Sequence, residues 1–362
     1  MLASTALWWT TVQIARWCEW PVPWAVPITA AHGVFMAFAF IPLFFVGFLF
    51  TAGPRWLGLP PVAARAVLRP VLIYAIAWLA YAAAVHLSVT VAALCVATAA
   101  AAWATLAARY RQIVRQSPVE DRTHAGVIVI ASTLGAIILG LAAVAVGSES
   151  YSIVRLLILV GLWGFMVPIY LAVAHRMIPF FTLSVLPQIS PWRSSWLLTS
   201  FVVLTVLGFA SAFIDAVLWP VPVALRSMQI VAEMAIAAGL VTLSVRWGLL
   251  ASFRVRLLAM LHVGFAWLGV AFALSACVHA AALTGAAPAT LHLAPLHALT
   301  MGFMGATLLA MATRVSAGHG GAPLIADNWA WGLFWLQQVA TLLRIIATLP
   351  EDSPMRDSLR QR

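Results

Sequence analysis

Ten stretches of this chain are apolar for the length of a membrane crossing, and almost no charge interrupts them. A transmembrane helix needs about 20 consecutive, mostly apolar residues. The stretches run over residues 30–50, 70–86, 88–108, 124–147, 152–174, 196–214, 226–245, 257–279, 293–313 and 329–349. Hydrocarbon offers no partner to a backbone N–H or C=O, so such segments must be helical. The sequence therefore predicts an all-α, polytopic transmembrane helix bundle of about 10–11 spans. The eleventh is the first 28 residues, read as either a partial span or an interfacial helix, where Trp8, Trp9, Trp17, Trp20 and Trp24 resemble an aromatic belt. The whole chain, 1–362, reads as one integral membrane domain ending in a polar tail at 350–362.

Composition removes the alternatives. At 64% hydrophobic and 8% charged residues, the chain lacks the polar surface of a soluble fold of this size. The net charge of +10 does not indicate nucleic acid. Every basic residue is Arg, and the arginines sit mostly in short connections, where cytoplasmic anchors belong. Connections holding Arg55, Arg65 and Arg69, then Arg109, Arg111, Arg115 and Arg122, then Arg176 and Arg193, then Arg246, Arg254 and Arg256 alternate with Arg-poor ones. Arg356, Arg360 and Arg362 in the tail conflict with that alternation. No basic region precedes the first apolar stretch, so no cleaved signal peptide is expected. Cys18, Cys95 and Cys277 are far apart, form no metal-binding spacing and read as buried thiols.

The chemistry-bearing residues in the apolar stretches are histidines. Ionisable groups at membrane depth are costly and usually functional. Two of them head the same pattern, His32-x-x-x-Met36-x-Phe38 and His297-x-x-x-Met301-x-Phe303. An i, i+4 spacing puts imidazole and thioether on one helix face, a donor pair suited to haem iron or copper. By depth, His32, His86, His279, His292 and His297 form an outer layer. His124, His175, His262 and His319 form an inner one. His32 and His297 are the expected outer metal ligands, with Met36 and Met301 a turn deeper. His86, His279 and His292 read first as wet helix ends. Of the inner layer, His262 lies inside an apolar helix and is either a ligand or a hydrogen-bond partner of a neighbouring helix. His124 reads as solvated; His175 and His319 stay open. Glu233, well inside a helix, is either a proton relay or the charge partner of an Arg or His. The joints 53–56, 178–181 and 318–323 read as helix terminations. Arg176 and Arg314 read as helix-end residues whose charge reaches the headgroups.

These motifs, in order, resemble the NnrS family of haem- and copper-containing membrane proteins. The carrying stretches are His32-x-x-x-Met36 with Gly47-Phe48-Leu49-Phe50-Thr51-Ala52-Gly53-Pro54-Arg55-Trp56, then Arg176-Met177-Ile178-Pro179-Phe180-Phe181-Thr182, then Leu261-His262-Val263-Gly264-Phe265-Ala266-Trp267-Leu268. The longest runs from Leu296-His297-Ala298-Leu299-Thr300 through Met311-Ala312-Thr313-Arg314-Val315-Ser316 to Gly318-His319-Gly320-Gly321-Ala322-Pro323-Leu324. The resemblance implies haem b and copper, a multi-pass place in the bacterial inner membrane, and a part in the nitric oxide response. It names neither an electron donor nor a chemical reaction. His32, His262 and His297 become the expected metal ligands; Met36, Met301 and His319 are further cofactor contacts. The family's first motif reads H-A-H-E-M, whereas this chain has Val34 and Phe35 where the second His and the Glu stand. The family also has about twelve spans. Two other readings remain open: a transporter of a small solute or metal, and a metal-free scaffold or assembly factor.

Overall fold

The computed structural model describes residues 1–192, 194–218, 220–285, 290–321 and 323–349, with the backbone alone at Leu2, Ser195 and His319. The tail at 350–362 lies outside the described residues. Among the described residues every regular element is helical, and nine helical stretches are long and apolar enough to cross a membrane. They coincide with the first nine expected spans. The tenth falls on a helix, Asn328–Ile346, that is not among the nine; Gln337, Gln338, Thr341 and Arg344 dilute its apolar character. The N-terminal helix, Leu2–Trp17, has 16 residues and is too short for a full crossing.

The chain forms two compact units. The first comprises Met1–Val173 and Leu198–Ala216. Its helices are α1 (Leu2–Trp17), α2 (Ile28–Phe38), α3 (Ile41–Leu49), α4 (Ala52–Trp56), α5 (Ala64–Leu87), α6 (Val89–Gln116), α7 (Thr123–Gly147) and α8 (Tyr151–Gly161), with most of α10 (Ser195–Val217). Helix α8 passes through a π-helical turn, Leu162–Met166, into α9 (Val167–Val185). Ser88, the one residue between α5 and α6, caps α6 by accepting the Val91 N–H. The next pair is joined by the Trp103 indole, which donates to the Ser132 carbonyl over 3.0 Å. Glycine permits the tightest approach: a Cβ on Gly161 would stand 2.4 Å from the Phe38 ring.

The second unit comprises Ala174–Leu197 and the described residues from Val217 onward. It holds the end of α9, then α11 (Val223–Trp247), α12 (Leu249–Ser252), α13 (Arg256–Leu283), α14 (Leu293–His297), a π-helical stretch at Ala298–Gly305, α15 (Ala306–His319) and α16 (Asn328–Ile346). Gly248, at φ +103°, turns the chain out of α11. Helix α13 lies against the π stretch and α15, where a Cβ on Gly264 would meet the Thr307 backbone nitrogen at 2.8 Å. The Met301 carbonyl, within the π stretch, accepts the Gln337 amide. Gln337 in turn accepts from Gln338, which accepts the Trp267 indole N–H at 2.6 Å. A chain of polar side chains from α13 and α16 thus serves a backbone whose hydrogen-bond pattern is irregular.

Several sequence expectations change here. Helix α9 does not stop at residues 178–181; it carries Pro179 internally and continues to Val185. Proline is tolerated in a packed membrane helix because neighbours satisfy the freed carbonyl. His175 and Arg176 are consequently mid-helix residues, and Arg314 lies inside α15 rather than at its end. His124, expected to be solvated, is buried, as is His175. Cys95 is buried, but Cys18 and Cys277 are exposed.

Candidate functional site

His262 is the most enclosed histidine among the described residues, at 0% exposure, on α13 in the second unit. Its Nε2 stands 2.9 Å from the Thr182 hydroxyl of α9. Thr182 has one hydroxyl proton, and it donates that proton to the Ile178 carbonyl over 2.9 Å. Toward His262 the hydroxyl therefore accepts, which places the ring proton on Nε2 and leaves the lone pair on Nδ1. That Nδ1 is buried and meets no hydrogen-bond donor among the described residues. Leaving a buried acceptor unmet costs about 1–3 kcal/mol. An imidazole fixed through one nitrogen, with the other bare, is the arrangement of a metal ligand held by its neighbours. Of the two sequence alternatives for His262, the hydrogen bond to a neighbouring helix is present, at Nε2.

His297 has the opposite tautomer. Its Nδ1–H donates to the Leu293 carbonyl over 2.7 Å, and its Nε2 accepts from Arg344 Nε over 3.1 Å. Backbone donation from Nδ1 is the usual way a ligand histidine is oriented. The Nε2 lone pair is engaged by a guanidinium from α16. The π-helical stretch begins immediately after His297, so His297 and Met301 straddle the change from α to π pitch. Both are half-buried.

In the first unit, His32 lies flat against Trp9, ring centroids 3.7 Å apart at 29°, with Met36 half-buried one turn along α2. His86 has both ring nitrogens engaged: Nδ1–H donates to the Pro23 carbonyl, and Nε2 accepts the Trp8 indole N–H. That network ties α1 to the end of α5. The His319 side chain lies outside the described residues.

A second buried polar group joins α11 to α13. Glu233 accepts from the Ser275 hydroxyl at 2.9 Å and from His279 Nδ1–H at 2.8 Å. Glu233 is 3% exposed and His279 5% exposed. Glu233 is thus the partner of a histidine, one of its two expected roles. His279 is buried rather than wet, while His292 is exposed.

Thr182, Ser275 and Arg344 are the participants that the residues alone did not single out, and Trp9 stood out only as part of an aromatic belt. Thr182 gave the clearest signal, as a hydroxyl ending the Ile178-Pro179-Phe180-Phe181 run inside an apolar segment.

The donors suit one type of group better than another. Among the described residues no three His, Cys, Asp or Glu side chains stand close enough to hold one ion. Single imidazoles are the donor count of an axial haem ligand, and fewer than a closed all-protein copper site uses. The bare Nδ1 of His262 would supply one nitrogen donor to a metal.

A model of the NnrS protein family matches residues 1–356. No curated protein and no solved structure matches the chain.

Proposed function

The chain belongs to the NnrS family, and we propose that it is a haem- and copper-binding integral membrane protein of the nitric oxide response that protects against nitrosative stress. The single observation that carries this reading is the buried, unmet Nδ1 of His262 behind its hydrogen bond to Thr182. His262, His297 and His32 are the proposed metal ligands, with Met36, Met301 and His319 as further cofactor contacts. A haem held by these residues would supply a binding place for nitric oxide, and its redox poise would follow ligand identity and burial.

The chain's own residues hold that place. Thr182 fixes the His262 tautomer and ring plane. The Leu293 carbonyl fixes those of His297. Arg344 accompanies the His297 lone pair, so ligation through Nε2 requires this guanidinium to move aside. Phe265 and Phe303, both fully buried, line α13 and the π stretch with apolar surface that excludes water.

The reading is tested by the visible spectrum and metal content of the purified protein. Haem with iron is expected in the wild type and reduced haem in His262→Ala. Protein free of iron and copper favours the scaffold reading. Solute flux in proteoliposomes without haem favours the transporter.

A further inference from the structure

The second unit carries a charged side chain that the haem and copper reading leaves unused. Arg314, on α15, is half-buried and stacks over the Phe181 ring of α9 with its guanidinium carbon 3.8 Å from the ring centroid. It makes no hydrogen bond and no ion pair among the described residues. The carboxylates of residues 217–349 are Glu233 and Asp327. Glu233 is committed to Ser275 and His279, and Asp327 caps α16 by accepting the Ala330 N–H. Stacking covers one face of the guanidinium but leaves its N–H edge, a planar fork matched to phosphate oxygens, unspent.

Arg314 lines a shallow, partly open cleft whose enclosed space is only about 20 Å³. Its wall is aliphatic and aromatic: Phe181, Val185, Leu258, Leu261, Met311 and Leu324. The apolar span that bears Arg314 ends at Gly318, four residues farther on. A cation about one turn inside the end of a membrane span, beside a cleft with apolar walls, matches a molecule that has an anionic head and a hydrocarbon tail.

We propose that this shallow cleft is the binding site of an anionic phospholipid, with its phosphate on Arg314 and an acyl chain along the exposed rim at Val185 and Leu324. An arginine that merely reaches bulk headgroups exchanges lipids freely. Here the Phe181 ring lies against the guanidinium, and the exposed apolar rim at Val185 and Leu324 gives the tail a place beside it. The lipid supplies a counter-charge that the described residues around Arg314 do not.

Native mass spectrometry of the full-length protein tests this. After delipidation in detergent, it is titrated with phosphatidylglycerol, phosphatidylcholine or inorganic phosphate. The expected result is retention of phosphatidylglycerol over phosphatidylcholine. Arg314→Gln should weaken it about tenfold or more, since the charge-assisted hydrogen bonds to the phosphate are lost. Leu324→Trp, which narrows the exposed rim and leaves the charge in place, should also reduce it and guards against misfolding of the first variant. Equal retention of both lipids, or of phosphatidylglycerol by the wild type and both variants, overturns the proposal. So does binding of inorganic phosphate without lipid.

Discussion

Thr182 accepts the Nε2–H of His262 over 2.9 Å while its own proton goes to the Ile178 carbonyl. This relation decides which ring atom of His262 is bare. Thr182→Val keeps the shape and removes the acceptor, leaving a buried N–H unmet. A loss of about 1–3 kcal/mol in stability is expected, read as a lowered Tm in detergent. Thr182→Ser should restore most of it. A Tm unchanged in the valine variant would show that the hydroxyl does not hold the ring.

Glu233 joins α11 to α13 through two donors. Glu233→Leu strands Ser275 and His279 and should cost about 1–3 kcal/mol. Glu233→Leu with His279→Leu should cost less than the sum of the single changes, because residues in one network couple by about 0.5–3 kcal/mol. Additive Tm losses across this cycle would contradict the contact.

Gly264 and Gly302 lie where helices of the second unit approach most closely. A Cβ on Gly264 would meet backbone as well as the Thr307 side chain, whereas one on Gly302 would meet the Trp267 ring at 2.6 Å. Backbone gives less readily than a side chain. Gly264→Ala should therefore be the more destabilising, with overpacking costs of about 1–3 kcal/mol. Gly332→Ala, where a Cβ has open space, serves as the control. Equal Tm values for the three variants would argue against the close packing.

His86 has both ring nitrogens committed to Trp8 and Pro23. His86→Ala should leave any bound iron and copper unchanged. It should loosen α1, seen as faster proteolysis in the connection after Trp17. Metal loss with unaltered proteolysis would instead make His86 a ligand.

The spans were legible in the sequence because hydrocarbon permits little else: the long runs around residues 124–147 and 257–279 reappear as α7 and α13 almost to the residue. The end of α9 was not, because Pro179 is a local stop signal that tertiary packing overrides. His262 and Glu233 stood out as polar residues inside apolar helices. Their partners did not, since pairing with Thr182 and His279 depends on how α9, α11 and α13 pack. The burial of His124 was missed for the same reason. The π-helical stretches at Leu162–Met166 and Ala298–Gly305 have no periodicity that separates them from ordinary helix.

The proposed metal-ligand role of His262 rests on its bare Nδ1. Its most direct test is the visible absorption spectrum of purified wild type beside His262→Ala, taken with iron analysis on the same samples. A Soret band with bound iron is expected in the wild type, and loss or displacement of that band in the variant. A wild type without haem iron, or a band that His262→Ala leaves unchanged, would contradict it.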